Sequence, residues 1–300
     1  MRIKQSMPLL AASLLAGVML SSTAQATQSG ADTIGVGAEG FLAGALPPAG
    51  WYGVFYYNHY HASQFNNGAG ESSVPGFGLT ADVVIPRLLY MSDSQLWGGR
   101  LGGFVLTALP TLSLDAGGQH ASRSGLGDSV VGPLLAWGDE GPLHSVLALD
   151  ISLPTGSYDQ HSMLNLGNNY YTLRPVLALS WLPASGWEAS AKVTYTFNSK
   201  NRATDYQSGQ LFHFDYALSY AVSPDWRLGV NGYFVKQTTD DTQHGQAVNG
   251  DGFRGQAFAI GPAARVQLGK AGLEVRLLKE FAVRNRPEGS SLWAKLVLPF

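Results

Sequence analysis

Only 13% of the 300 side chains are charged, against roughly a quarter in a typical soluble protein, which is too little charge to wrap an ordinary water-facing domain. Setting aside Arg2 and Lys4, seventeen basic side chains remain against twenty-one acidic ones, a formal charge of −4 that excludes a basic nucleic-acid surface. No cysteine is present, so neither a disulfide framework nor a lipidated cysteine is available.

The chain opens with Arg2 and Lys4, an apolar run from Met7 to Leu20, and small residues ending in AQA. A charged start, a short apolar run and an A-x-A ending define a secretory signal, here residues 1–26 with cleavage after Ala26. Residues 27–50 follow, rich in Gly, Ala and Pro. Two roles stay open for them: a loose periplasmic tail, or a plug folded into a lumen through apolar residues such as Ile34, Val36, Phe41, Leu42 and Leu46.

Past the signal, no run reaches the 18 apolar residues of a membrane helix. The rest divides into about twelve alternating segments, near 51–62, 77–90, 97–112, 126–138, 143–154, 168–182, 186–199, 210–222, 226–238, 253–268, 272–284 and 291–300. Each approaches or exceeds the roughly 9–11 residues a tilted strand needs to cross a bilayer. Soluble strands average only about five or six.

His59 and His61, two apart on one strand face, have chelate spacing. With no third ligand to name, a polar rim is the simpler reading, and no metal or other cofactor is expected. At 186–199, Trp187, Ala189, Ala191, Val193, Tyr195 and Phe197 alternate with Glu188, Ser190, Lys192, Thr194, Thr196 and Asn198. At 210–222 the aromatic set from Phe212 to Tyr220 opposes His213, Asp215, Ala217 and Ser219. Ser219, His213 and Asp215 suggest a hydrolase, but their spacing along one strand separates the side-chain heads too widely for a relay without help from other strands. GDGFRG at 250–255 matches a dinucleotide fingerprint in letters only, because a strand follows where a helix is required. Near 272–284, Leu273, Val275, Leu277, Phe281 and Val283 face away from Glu274, Arg276, Glu280 and Arg284.

Loop lengths separate two ends. The links MSDSQL, GDEGP, PASG, SPD and GKAG are short, whereas those near 63–76, 113–125, 155–167, 200–209, 239–252 and 285–290 are mostly longer and polar. Such sorting is expected of an all-β, transmembrane, antiparallel up-and-down barrel with its short turns in the periplasm. Trp51, Tyr52, Trp97, Trp137, Trp181, Trp187, Trp226 and Trp293 fall mostly near the short-turn end, as an interfacial girdle would. In a barrel the inward set becomes the lumen lining: Arg174, Lys192, His213, Asp215, Arg227, Tyr233, Glu274, Arg276, Glu280, Arg284 and Lys295. Their mixed signs suit a pairing network across a narrow bore better than a strongly ion-selective pore. The last strand turns Leu292, Ala294, Leu296, Leu298 and Phe300 toward lipid. Leu296, Leu298 and Phe300 resemble the terminal signal read by the outer-membrane assembly machinery, which places the protein in a Gram-negative outer membrane with that lipid and that machinery as partners.

Six stretches carry a family resemblance: EGFLAGALPPAGWY (39–52), GLGDSVVGPLLAW (125–137), LPTGSYD (153–159), LGNNYYTLRP (166–175), NSKNRATDYQSG (198–209) and GDGFRGQAFAIGP (250–262). The sequence resembles the outer-membrane proteins associated with the meta-cleavage pathway of phenol degradation. That resemblance implies a channel or transporter, with a small hydrophobic or aromatic compound as solute, and it brings no catalytic residues. A structural barrel without transport is the alternative, with an outer-membrane hydrolase ranked below it.

Overall fold

The computed structural model describes residues 35–138 and 141–300; the signal segment lies outside the described residues. Twelve barrel strands follow in order. They are β1 (Gly50–Asn66), β2 (Gly78–Leu96), β3 (Gly99–Thr107, continued by Leu109–Ala116), β4 (Ser129–Trp137), β5 (Leu143–Leu153) and β6 (Thr172–Trp181). The second half comprises β7 (Trp187–Asn198), β8 (Leu211–Ala221), β9 (Trp226–Gln237), β10 (Gln256–Leu268), β11 (Ala271–Arg284) and β12 (Arg286–Pro299).

Every barrel strand pairs antiparallel with its chain neighbours, and β12 closes on β1 over the register Tyr52↔Pro299 to Asn66↔Arg286. Closure leaves no unpaired edge in the barrel wall, the condition for a sheet to sit in hydrocarbon; the Gln119–Ser124 strand, in the loop beyond it, pairs on one side. Outward positions carry Phe55, Val84, Val105, Leu147, Leu177, Leu218, Val230, Val275 and Leu277, each well exposed. A soluble sandwich would bury these side chains and expose the polar set, whereas here Glu188, His213, Asp215, Glu274 and Arg276 are the buried ones.

Turn chemistry sharpens the short end. Trp97 and Gly98 both have positive φ and join β2 to β3 in two residues, the backbone twist that a tight hairpin requires. MSDSQL, expected as a link, is therefore mostly strand, with a register shift between Met91 and Gln95. At the other end the expected 113–125 loop is a hairpin, Leu109–Ala116 against Gln119–Ser124, turning at Gly117 and Gly118. The expected 285–290 link shrinks to Asn285, because Arg286 onward pairs with β1. Three short strands, Tyr206–Gln207, Thr242–Gln243 and Gln246–Ala247, tie the long loops 199–210 and 238–255 together.

Trp51, Trp97, Trp181, Trp187 and Trp226 are exposed at the short-turn end, with Tyr90 against Trp51 and Tyr220 against Trp187 at ring separations of 4.6 and 5.1 Å. Trp293 departs from the expected girdle. It points inward and is only 3% exposed, packed with Val54, Tyr56 and Tyr233 and lying 5.6 Å from the Arg276 guanidinium. Its even-spaced place opposite Leu292 and Ala294 on β12 puts it on the lumen face.

Candidate functional site in the barrel lumen

Residues 35–49 run inside the barrel. Phe41 is 1% exposed and fills a pocket made by two small inward residues, Ala217 on β8 and Ala263 on β10. Backbone N–H groups of the segment donate to wall carboxylates: Gly37 to Asp215 Oδ1 at 3.1 Å, Phe41 to Glu274 Oε1 at 3.1 Å, and Leu42 to Glu188 Oε1. Farther along, Gly44 N–H donates to Ser180 Oγ at 2.9 Å, and Arg100 Nη1 donates to the Pro47 carbonyl at 3.1 Å. A chain with neither helix nor sheet partners must satisfy its amides somehow, and here the barrel wall does so. Two glycines permit the approach. A Cβ on Gly40 would stand 2.1 Å from Glu274 Oε1, and one on Gly44 would stand 2.6 Å from the β6 backbone at Leu179 and Ser180. Of the plug candidates, Phe41 and Leu42 therefore sit against β8 and β10, and Leu46 packs near Leu89, Met91, Leu134 and Val146.

Glu39 is the electrostatic hub of the segment. Its Oε2 accepts from Lys295 Nζ at 2.6 Å, while its Oε1 accepts from Tyr56 OH at 2.9 Å and from Arg87 Nη1 at 3.4 Å. The remaining inward charges mostly pair as well. Arg174 donates twice to Asp150, at 2.7 and 3.2 Å, and Arg227 bonds Ser219 Oγ while lying 3.3 Å from Glu188. Arg276 donates to the Ala38 carbonyl and lies 3.6 Å from Glu274. Glu280 accepts from Tyr60, Tyr233 and the Gly289 amide. Among the described residues, Lys192 has no hydrogen-bond or ion-pair partner.

The expected inward position of Arg284 is corrected. Ala282 adopts φ +52° beside a register shift against β10, and this bulge reverses the alternation. Val283 consequently turns into the lumen at 2% exposure and Arg284 turns out. Ser219 and His213 do not meet: Ser219 donates to Glu188 Oε2 at 2.8 Å, and His213 Nε2 bonds Asp215 Oδ1 at 2.9 Å. His59 and His61 diverge to Asp82 and Thr80. No cluster of three metal-binding side chains exists among the described residues. Gly250 and Gly252 both have positive φ in the loop before β10, so GDGFRG shapes a loop.

Beside the segment lies a cavity of about 570 Å³, reaching from Asn165 and Asn168 under loop 154–171 to Pro47, Tyr52 and Pro299 at the short-turn end. Its outer wall belongs to β2–β6: Val83, Ile85, Leu89, Phe104, Leu106, Val130, Leu134, Val146 and Val176. Six cations (Arg87, Arg174, Lys192, Arg265, Lys270 and Lys295) and four carboxylates (Glu39, Asp128, Asp150 and Glu274) also line it. The lumen is thus divided, with the wall carboxylates that hold the N-terminal segment's amides on β7, β8 and β11 and a largely aliphatic wall on β2–β6 facing open space. Sequence alternation did not reveal the aliphatic wall, because β2 to β6 carry apolar side chains on both faces.

Loop chemistry caps the β7–β10 side. Asp241 accepts from Gly209 N–H and Gln237 Nε2, both at 2.7 Å, and from Tyr206 OH. Burial, outweighing these donors, pushes its carboxyl up to about 7. A raised acid favours folding in its neutral form, so its stabilisation of the loops is complete below its ordinary value near 3.8 and is lost as pH rises through about 7. Proteolysis within 238–255 is therefore expected to run faster at pH 8.5 than at pH 5.5 in the native protein. Asp241→Asn should flatten that difference; an unchanged pH dependence in the variant would assign it to another group.

Two solved structures share this architecture. The COG4313 outer membrane channel from Pseudomonas putida F1 matches with a TM-score of 0.77 at 22% identity, covering 86% of this chain and 98% of that one. The β domain of the Bordetella autotransporter BrkA matches with a TM-score of 0.50 at 14% identity, covering 84% of this chain and all of that one. At such identities the likeness establishes the fold, a closed twelve-stranded outer-membrane-type barrel. A search of curated proteins with the sequence finds no match. The family model described as "Putative MetA-pathway of phenol degradation" matches residues 62–296, and since these span most of the barrel, the chain belongs to that family.

Proposed function

We propose that the protein is an outer-membrane channel that passes small hydrophobic or aromatic compounds slowly and selectively. The observation that carries this reading is the long luminal cavity, bounded on one side by the aliphatic wall of β2–β6 and on the other by the N-terminal segment. Twelve strands lie between the eight that side chains fill and the sixteen that leave a water channel. With residues 35–49 inside, the remaining bore suits a solute of one ring better than a hydrated sugar. An apolar wall lowers the free energy of an apolar solute as it leaves water, while the ten charged side chains of the lining limit how tightly a neutral solute is held.

Liposomes carrying the full-length mature protein are expected to take up a phenol or aromatic acid faster than empty liposomes, with little swelling in sugars. Large, unselective conductance would favour a general pore. Uptake of every aromatic tested at the rate of empty liposomes would favour a structural barrel. In cells, the protein is expected in the outer-membrane fraction as a heat-modifiable band beginning at Thr27, a pattern that a folded periplasmic protein would not give.

A further inference from the structure

The cavity contains a charge the fold leaves unanswered. Lys192 projects from β7 onto the cavity, directly across from Asp215 on β8 and Ala178 on β6. Asp215 is already engaged by His213 and by the Gly37 amide. The nearby Asp150 is held in two hydrogen bonds by Arg174, and Glu39 is shared among Lys295, Arg87 and Tyr56. Each of these acids has its own donors, Asp215 taking both on Oδ1 and keeping a buried Oδ2 without one, and the ammonium makes no hydrogen bond or ion pair among the described residues. Withdrawing an ammonium from bulk water without a partner is unfavourable. A protein that retains one, facing an aliphatic wall in a cavity within the about 300–1,000 Å³ of small-molecule sites, holds half of an ion pair.

We propose that the mid-lumen binds a small organic carboxylate, its anionic head on Lys192 and its ring or chain against the wall that includes Ile85, Leu89 and Phe104. The assignment deepens the proposed function and rests on it, because the site lies in the same passage. Arg87 stacks over Phe104 at 3.8 Å, so part of the apolar wall is an aromatic face with a cation above it. Six cations meet four carboxylates over the whole lining, and counting Asp215 beside Lys192 still leaves one more cation than acid. The surplus is positive, and a carboxylate reduces it where a neutral phenol does not. A single unpaired ammonium also keeps the site weak enough to release what it binds, as conduction requires.

The test measures binding of benzoate and of its neutral analogue benzyl alcohol to the full-length mature protein in lipid nanodiscs, with empty nanodiscs subtracted. Wild-type protein should bind benzoate more tightly than benzyl alcohol. Lys192→Met should weaken benzoate at least tenfold and leave benzyl alcohol within twofold, and Lys192→Arg should keep most benzoate affinity. Heat-modifiability of each variant verifies that the barrel is intact. Equal benzoate affinity in wild type and Lys192→Met overturns the carboxylate site, as does wild-type protein that prefers benzyl alcohol. Wild-type protein that binds neither compound overturns the solute-passage reading as well.

Discussion

Removing residues 27–46 is expected to raise permeation of a small sugar on the order of tenfold, because it empties a bore that twelve strands alone do not fill. The segment is held by hydrogen bonds to Asp215, Glu274 and Glu188, bonds to charged groups that contribute on the order of 1.5–3 kcal/mol each, and by the Phe41 ring in its Ala217 and Ala263 pocket. A gentler version leaves the segment in place. Gly44→Leu forces a side chain into the β6 backbone, where even a Cβ would lie 2.6 Å from Ser180 N, and should open the bore partially. Proteoliposome swelling in sucrose reads both variants, with aromatic uptake measured in parallel. Loss of selectivity for the aromatic solute should accompany the faster swelling. Sugar permeation unchanged in both variants would mean that the strands and loops, not residues 35–49, form the barrier.

Much of the barrel was legible because a membrane strand must be long and must keep its alternation wherever one face is polar. In β7, Lys192, Ser190 and Glu188 stand between apolar neighbours, so the facing assignment could be read residue by residue. On β11 the same reading worked from Leu273 to Phe281 and failed at Val283 and Arg284, where a bulge inserts a residue with no signature beyond Ala282 in an otherwise regular run. From β2 to β6 the failure was of another kind. Val83, Ile85 and Leu89 line the cavity while Val84 and Leu88 face out, and a strand apolar on both faces has no period to detect. The strands were found there by length, but the apolar lumen wall was not.

Glu39, Arg87, Asp150 and Glu188 went unremarked as a set for a topological reason. Glu39 meets Lys295 across 256 residues of chain, and Phe41 meets Glu274 across 233. Neither contact leaves a local pattern. Asp215, Glu274 and Glu188 accept from backbone amides of the segment, which every residue type but proline offers equally, so composition could suggest that 27–50 enters the lumen without naming what would hold it. Gly40 and Gly44 are the local trace of that fit, and they gain meaning only once the wall behind them is known.

Charge placed on the two faces of the wall should have opposite consequences. Leu296 lies on the outward face of β12 opposite Phe55, between Trp51 at the short-turn rim and the outward Lys279 and His59 above it, which puts it near the middle of the apolar band. Leu296→Arg there is unfavourable by about 2–4 kcal/mol at the bilayer midplane, so the membrane-inserted, heat-modifiable fraction should fall severalfold. Lys192→Gln, on the inward face of β7, removes a charge from the lumen without altering the lipid surface and should insert at nearly the wild-type level. Leu278→Arg would confuse the comparison, because Leu278 is inward and packed with Tyr233 and Val235, where overpacking destabilises without any lipid contact. The two chosen positions separate these effects. Urea-resistant insertion into liposomes, scored by the gel shift on heating, gives the readout. Equal yields for Leu296→Arg and wild type would place β12 in water, and a Lys192→Gln protein that fails to insert would put Lys192 on the lipid face.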